Sequence, residues 1–290
     1  MIKYSHSLAV FLIEEENMIF DYDSKYFNPE HVLECGQIFR FTPFKEGYLV
    51  YSADKVCYVY TKAGKTFVES EDSDYFYNFF DLGRDYSKIV ESAKAQGVPL
   101  LSNSAETCKG LRLLNQNREE MIYSFIISQN NNIPRIKGII SRICEGLGEK
   151  REFKYGKYSA FPASKALSEA GVEFFKRAGC GYRDRFLAET SLRIVNEGIA
   201  HLENLDFKAL KKELLTYIGI GEKVADCVAL FGFSKRESFP VDTWLEKVYK
   251  EDFNGELKDR SKITQYFTDR FGENSGYFQQ YLFYGKRLNL

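Results

Sequence analysis

The hydrophobic pattern of this chain changes its period near Asp74, and that change constrains the fold more than any other feature of the sequence. Before Asp74, short runs of aromatic and β-branched residues predict β-strands. The predicted strands cover 35–41, 47–53, 55–61 and 65–70, with a hairpin turn at Gly64. The connections between them are too short for crossover helices, so we expect antiparallel pairing.

After Asp74, apolar residues recur three and four positions apart, which predicts amphipathic helices. The clearest of these helices lie at 118–128, 133–147, 185–195 and 206–218. We therefore predict an α+β fold. An N-terminal antiparallel twisted β-sheet domain covers 1–112, and a mostly α-helical body covers 113–290.

The composition excludes several classes of protein. The chain is 44% hydrophobic and 28% charged, which is typical of a globular protein. No apolar run approaches the ~20 residues that span a bilayer. The six cysteines include no C-x-x-C pair and there are three histidines, so no zinc or iron–sulfur site is predicted. Without a secretion signal, we expect free thiols in the cytoplasm, or in the nucleus of a eukaryote.

The charge is distributed unevenly along the chain. The net charge of −1 argues against a strongly basic nucleic-acid-binding protein. Residues 1–100 carry 10 basic and 16 acidic side chains, whereas the rest of the chain carries 30 and 25. A polyanionic partner would therefore have to bind a local patch rather than the protein as a whole.

Residues 207–231 predict a helix–hairpin–helix. The first helix is expected to end near Ile218, and the second to run from Glu222 to Phe231, with the turn at Gly219-Ile220-Gly221. The glycines allow a close backbone approach, and the N–H groups that open the second helix form an anion site suited to one DNA phosphate. The same pattern also fits an ordinary turn between two helices.

A lysine and an aspartate near this hairpin suggest chemistry. Lys223 lies in the first turn of a helix, where a cation is disfavoured, so its neutral and nucleophilic form is expected to be favoured there. Asp242 follows Pro240 at a predicted helix N-cap, and an aspartate is common there without any catalytic role. A fixed carboxylate can also stabilise an oxocarbenium-like sugar, as in glycoside cleavage. Together these residues suggest cleavage of an N-glycosidic bond in DNA.

The stretch from 218 to 244, "IGIGEKVADCVALFGFSKRESFPVDTW", resembles the helix–hairpin–helix, Gly/Pro-Asp signature of base-excision DNA glycosylases. The K-V-A-D-C and P-V-D motifs are similar to those of the 8-oxoguanine DNA glycosylases in particular. The resemblance extends over nearly the whole chain, through "CGQIFRF", "FIISQNNNIPRI", "GCGYRDRF" and "GYFQQYLF" in the family's order.

The resemblance implies roles for Lys223 as the nucleophile at the sugar C1′ and for Asp242 as the catalytic carboxylate. It implies that Gly219, Gly221 and Lys223 form the hairpin that meets a DNA phosphate. No cofactor is implied for the chemistry, although a monovalent or divalent cation can bridge the hairpin carbonyls at 218–223 to that phosphate.

The resemblance also implies a pocket for the flipped base, which is unreachable inside the duplex. Cys227 and Phe283 would pack on its two faces, and Gln279 would bond its Watson–Crick edge. Gly36 would offer its carbonyl oxygen to the N7–H that distinguishes 8-oxoguanine from guanine. Taken singly, these residues equally fit core positions, a solvated helix surface and a strand bend.

Four further residues are implied to act on the opposite strand. Asn130 would fill the gap left by the flipped base, Arg135 and Arg183 would bond the estranged cytosine, and Tyr182 would wedge into the stack. The alternatives are a helix-capping turn at 130–132 and ordinary surface arginines.

Trp244 departs from the family's pattern, in which a histidine follows the catalytic aspartate by two residues. A histidine there can bond a phosphate, whereas a tryptophan stacks or packs and donates a single N–H. The departure leaves the phosphate contacts and the preference for the opposite base open.

These features predict a bifunctional DNA glycosylase and AP lyase that acts as a monomer on double-stranded DNA containing 8-oxoguanine, preferably opposite cytosine. Two alternatives remain at this point. One is a glycosylase for another damaged purine, and the other is a non-catalytic DNA-binding protein that uses the hairpin alone.

Overall fold

The computed structural model of the protein describes residues 10–14 and 17–290, with side chains from residue 21 onward. The described part begins with a six-stranded sheet and continues as a helical body. The strands of this sheet are β1 (Val10–Glu14), β2 (Asn17–Asp23), β3 (Phe41–Phe44), β4 (Gly47–Ser52), β5 (Lys55–Lys62) and β6 (Lys65–Ser70).

The sheet is antiparallel throughout, in the order β1-β2-β6-β5-β4-β3. The strands predicted at 47–53, 55–61 and 65–70 are confirmed. Ala63 and Gly64, with φ values of 50° and 76°, form the predicted hairpin turn. Positive φ at both central residues matches the right-handed twist of the flanking strands.

The strand predicted at 35–41 is wrong, because only Phe41 belongs to a strand. Gly36 has a φ of 87°, which breaks the extended conformation. The side chain of Gln37 is fully buried and makes hydrogen bonds in place of those between paired strands. It donates to the carbonyls of Val32 and Arg112 and accepts from the Leu114 N–H. The segment is therefore held by side-chain amide bonds.

Fourteen α-helices occur in the described residues. They are α1 (Pro29–Leu33), α2 (Ser73–Phe79), α3 (Tyr86–Lys94), α4 (Pro99–Thr107), α5 (Arg118–Ser128), α6 (Ile133–Leu147), α7 (Ser164–Arg177), α8 (Asp184–Glu197), α9 (Ala200–Glu203), α10 (Phe207–Leu214), α11 (Glu222–Phe231), α12 (Thr243–Asp252), α13 (Arg260–Phe271) and α14 (Ser275–Arg287). Short 3-10 turns precede α8 and α14. The α+β fold is confirmed.

Two details of the helical body differ from the prediction. Helix α10 ends at Leu214, four residues before the predicted Ile218, because the N–H groups of Thr216 and Tyr217 bond carbonyls three residues back, in tighter turns. A two-stranded hairpin of β7 (Lys150–Phe153) and β8 (Gly156–Ser159) interrupts the helices. The helices predicted at 118–128 and 133–147 have the predicted bounds, and 185–195 lies inside α8.

The core has one large helical cluster, a smaller one beneath the sheet, and a third small cluster of Val56, Tyr58 and Phe153. Tyr86 and Leu101, from α3 and α4, belong to the helical cluster although they precede residue 113. Arg112 is fully buried and donates to the carbonyls of Tyr26 and Phe80, which ties the two parts together. The domain boundary at 112/113 stays a prediction. No helix among the described residues is long and apolar enough to cross a membrane.

Candidate active site

The hairpin between α10 and α11 contains Gly219 and Gly221, which have different structural roles. Gly219 has a φ of 77°, and a β-carbon there would overlap the ring of Phe186. Gly221 caps α11 without a side chain, and a β-carbon there would meet open space. Gly219 is therefore required by conformation and packing, while Gly221 leaves the start of α11 open to close approach by a ligand.

Two ion pairs hold α10 against α11 behind this hairpin. The Lys211 Nζ lies 2.8 Å from a carboxylate oxygen of Glu222 and 2.8 Å from one of Asp226. Burial raises the pKa of Asp226 to about 6, although Lys211 draws it back toward its ordinary value. Asp226 lies one turn after Lys223 on α11, so the ion pairs with Lys211 help to hold in place the helix that carries Lys223.

Lys223 lies in the first turn of α11, and Asp242 lies at the N-cap of α12. Lys223 is half-buried, and its Nζ lies 5.5 Å from the centroid of the Phe125 ring. Asp242 caps α12 as predicted, with Oδ1 accepting from the N–H groups of Trp244 and Leu245 at 3.0 Å each. Since Oδ1 takes both bonds, the capping geometry fixes the orientation of the carboxylate.

Both residues line a small cavity between α11, α14 and the segment around Gly36. The cavity is lined by Gly36, Phe125, Lys223, Cys227, Phe231, Pro240, Asp242, Gln279, Gln280 and Phe283. The fold therefore brings together the predicted catalytic pair and the predicted base-binding residues, although they are spread over more than two hundred positions. This convergence favours a catalytic site over the alternative that these residues are unrelated core positions.

The cavity walls are mostly apolar. Burial raises the pKa of the Cys227 thiol to about 11, against the opposing effect of Lys223, so this wall is uncharged near neutral pH. Gly36 has a φ of 87°, which favours glycine, and a β-carbon there would lie 3.2 Å from the Phe283 ring, a tight contact. The volume of about 50 Å³ suits a few water molecules rather than a purine. A purine in this cavity would therefore require one of its walls to move.

A larger groove of about 720 Å³ adjoins the cavity. Asn130, Gly221 and Arg260 line it, and Lys223 and Asp242 are shared with the cavity. The two catalytic candidates therefore stand at the junction of a wide groove and a narrow pocket. This arrangement suits a sugar whose phosphates run along the groove and whose base turns inward.

The residues predicted to act on the opposite strand form a separate cluster. Asn130 is exposed and has a φ of 43°, Arg135 is exposed near the start of α6, and Tyr182 is 55% exposed. Arg183 is only 2% exposed and donates to the carbonyls of Gln129, Asn130 and Cys180. Arg183 therefore holds the 129–130 turn, and a contact with a base would require it to exchange these partners.

Gln129 links the opposite-strand cluster to the hairpin that precedes Lys223, and the sequence did not predict this role. Its side-chain Nε2 donates to the Gly219 carbonyl at 2.7 Å, while its own carbonyl accepts from Arg183. A glutamine beside a predicted asparagine turn carries no distinguishing pattern, because its partners lie 54 and 90 positions away. Trp244, the departure from the expected histidine, is 42% exposed beside Asp242.

Comparison with known proteins places this geometry in a family. A crystal structure of a Clostridium acetobutylicum 8-oxoguanine glycosylase/lyase, in complex with double-stranded DNA containing cytosine opposite to 8-oxoG, superimposes with a TM-score of 0.90. The two sequences are 32% identical, and the alignment covers 97% of this chain and 98% of that one. The chain belongs to the 8-oxoguanine DNA glycosylase family.

Other comparisons agree with the 8-oxoguanine DNA glycosylase assignment. The family "8-oxoguanine DNA glycosylase, N-terminal domain" matches residues 19–122. A probable N-glycosylase/DNA lyase of Methanothermobacter thermautotrophicus is 31% identical over 63% of this chain and 65% of its own length. The N-glycosylase/DNA lyase of Saccharomyces cerevisiae is 31% identical over 50% of this chain and 42% of its own. The chain thus spans less than two thirds of each of these curated relatives.

Proposed function

We propose that this protein is a DNA glycosylase with AP lyase activity that excises 8-oxoguanine from duplex DNA, preferably opposite cytosine. One observation carries the proposal: Lys223, Asp242 and the predicted base-binding residues line one cavity at the edge of a groove. The relatives named N-glycosylase/DNA lyase, and the solved 8-oxoguanine glycosylase/lyase, support the same reaction.

In the proposed reaction the neutral Lys223 amine attacks the sugar C1′. The bond from C1′ to the base nitrogen breaks, and the base leaves with the bonding electrons and takes up a proton. The Asp242 carboxylate stabilises the positive charge that develops on the sugar. Opening of the sugar gives an imine between Lys223 and C1′. Loss of a proton from C2′ then expels the 3′ phosphate and cuts the strand.

The cavity walls would select the base. Cys227 and Phe283 would hold its two faces, and Gln279 would bond its Watson–Crick edge. The Gly36 carbonyl would accept the N7–H of 8-oxoguanine, whereas guanine presents a lone pair at that position. A buried acceptor that faces a lone pair is left unsatisfied, which disfavours the undamaged base.

The opposite-strand cluster would read the estranged base. Asn130 would fill the gap, Tyr182 would wedge into the stack, and Arg135 and Arg183 would donate to cytosine. Trp244 would pack or stack on the DNA backbone near Asp242, in place of a histidine–phosphate bond. Each of these contacts is proposed from the resemblance to the family.

We further propose that the chemistry needs no cofactor and that the protein acts as a monomer in the cytoplasm, or in the nucleus of a eukaryote. A monovalent or divalent cation would be held by the hairpin carbonyls at 218–223, as the family resemblance implies. The Gly219 carbonyl already accepts from Gln129, so such a cation would share or replace that bond.

The proposal is tested by borohydride trapping on a duplex with one 8-oxoguanine opposite cytosine. Borohydride reduces the imine, so wild type is expected to give a covalent adduct, and Lys223→Gln none. Lys212→Gln, on the exposed face of α10, is the matched control and should trap normally. Lys223→Gln should still bind the same duplex as wild type does.

Other outcomes would favour the alternatives. Tight binding without an adduct, irrespective of the lesion, would indicate a non-catalytic DNA-binding protein. Trapping on a different damaged purine in preference to 8-oxoguanine would reassign the substrate. Free base released without an adduct would retain a glycosylase and remove the lysine mechanism.

A further inference from the structure

Arg287 lies directly outside the base cavity, and none of the preceding steps gives it a role. It is the last residue of α14 and follows Phe283 by one turn, so the two side chains are neighbours on the helix surface. The guanidinium carbon lies 5.5 Å from the centroid of the Phe283 ring. The adjacent Lys286 pairs with Asp252 at 2.8 Å, whereas Arg287 has no carboxylate partner among the described residues. The guanidinium is therefore not placed there by an ion pair.

The same guanidinium also contacts the opposite wall of the cavity. Its Nη1 donates to the carbonyl of Glu34 at 3.3 Å. A β-carbon on Gly36 would lie 3.5 Å from Nη1, so the guanidinium lies against the segment 34–36. The cavity lining does not include Arg287 itself. Arg287 therefore bridges Phe283 and the segment 34–36 from outside the cavity.

Phe283 is the least buried of the three aromatic walls. It is half-buried, whereas Phe125 and Phe231 are each 3% exposed. Because displacing a half-buried ring exposes less apolar surface than displacing a buried one, the gap between Phe283 and the segment 34–36 is the least costly place to widen the cavity. If the ring turns outward its contact with Arg287 is lost, and if the segment withdraws the bond to Glu34 is lost. Widening the cavity therefore breaks one of the two contacts.

We propose that Arg287 is a positioning residue that keeps the base cavity narrow, by bridging Phe283 and the segment 34–36, until a lesion base enters. Entry of the base breaks the bridge, so part of the binding free energy of lesion DNA is used to open the cavity. Duplex that binds in the groove without inserting a base leaves the bridge intact. Arg287 therefore lowers the affinity for lesion DNA alone. This inference rests on the proposed function, since it requires a flipped base.

The test compares dissociation constants of wild type and Arg287→Met for two duplexes, one with 8-oxoguanine opposite cytosine and one with guanine at that position. In both, this nucleotide carries a 2′-fluorine, which destabilises a cationic sugar and prevents excision during the titration. The loss of one positive charge weakens binding of both duplexes alike, so the ratio of the two constants is the readout. One lost contact of this kind is worth about 3-fold to 10-fold, so the preference for the lesion should rise by that factor in Arg287→Met.

Arg270→Met is the matched control. Arg270 lies in the last turn of α13 with its guanidinium 5.4 Å from the Phe253 ring, and neither residue lines the base cavity. This variant should keep the wild-type ratio. Arg287→Lys retains the charge and a donor but not the planar group that stacks, so it should raise the ratio less than Arg287→Met does.

The sign of the change decides the outcome. A folded Arg287→Met with an unchanged or smaller preference for the lesion would overturn the proposal, because a merely structural residue loosens the site and weakens lesion binding. If Arg287→Met does not fold, Arg287→Lys decides in the same way. A wild type that neither prefers the lesion duplex nor excises 8-oxoguanine without the fluorine would instead overturn the proposed function.

Discussion

The base cavity and the opposite-strand cluster differ in how far they are assembled before DNA binds. In the cavity, Asp242 is fixed by two backbone N–H groups, and the amides of Gln279 and Gln280 are fixed by each other and by Pro240. In the opposite-strand cluster, Tyr182 is exposed, and the guanidinium of Arg183 already donates to backbone carbonyls. The Asp242 carboxylate is thus preorganised, whereas a contact between Arg183 and a base would require an exchange of partners.

Removing charge on the preorganised side should have the largest effect. Asp242→Asn keeps an N-cap for α12, so only the negative charge is lost. We expect single-turnover excision of 8-oxoguanine to fall about 100-fold to 1,000-fold, with the melting temperature nearly unchanged. Asp85→Asn, at the cap of α3, is the matched control and should leave excision intact. A decrease of less than tenfold would mean that Asp242 is mainly a cap.

On the opposite-strand side, Arg183→Lys should act through the turn that Arg183 holds. Lysine cannot bond the carbonyls of Gln129 and Asn130 in the planar geometry of a guanidinium, and a buried charge would be left poorly paired. We expect the melting temperature to fall by several degrees and the preference for cytosine opposite the lesion to weaken about tenfold. Excision opposite each of the four bases, with the exposed Arg185→Lys as control, measures the change.

The link between the two regions predicts a smaller effect. Gln129→Met should keep the buried volume but remove the donor to the Gly219 carbonyl. One neutral hydrogen bond is worth about 1 kcal/mol, so we expect a decrease of roughly 5-fold in excision, without loss of binding to undamaged DNA. If Arg183→Lys and Gln129→Met gave fully additive decreases, the two regions would be independent and the link would have no functional meaning.

The smallest effect concerns pH and the ion pairs behind the hairpin. Burial raises the pKa of Asp226 from its ordinary 3.8 to about 6, so the folded protein binds its proton more tightly than the unfolded chain. Asp226 therefore favours folding below pH 3.8, and this contribution is lost as the pH rises through about 6. Asp226→Asn should make the free energy of unfolding depend less on pH in that window. Urea titrations of both proteins from pH 4 to 7 check this, and parallel curves would contradict it.

Patterns within one element were predictable from the sequence. Helices α5 and α6 and the hairpin of β5 and β6 match because their apolar spacing and turn residues act locally. The Asp242 cap was predictable for the same reason, while the 35–41 segment was not, because Gln37 satisfies the backbone of distant segments instead of its own strand.

The candidate site shows the same division. The roles of Lys223 and Gln279 came from a resemblance in motif order, and the fold then placed both in one cavity. Gln129 escaped prediction because nothing in its own sequence neighbourhood indicates that its bonds are made to segments 54 and 90 positions away. The assigned roles themselves stay predictions, as does the effect of the helix start on Lys223.

In the proposed function, the small volume of the base cavity, about 50 Å³, would also affect how tightly lesions are held. If only one molecule in a hundred had an open cavity, the measured affinity for lesion DNA would be about a hundredfold below that of the open form. Undamaged duplex would lie in the groove with its bases stacked and would not be subject to this penalty. A narrow cavity would therefore reduce the difference in affinity between damaged and undamaged DNA, and would move discrimination from binding into the excision step.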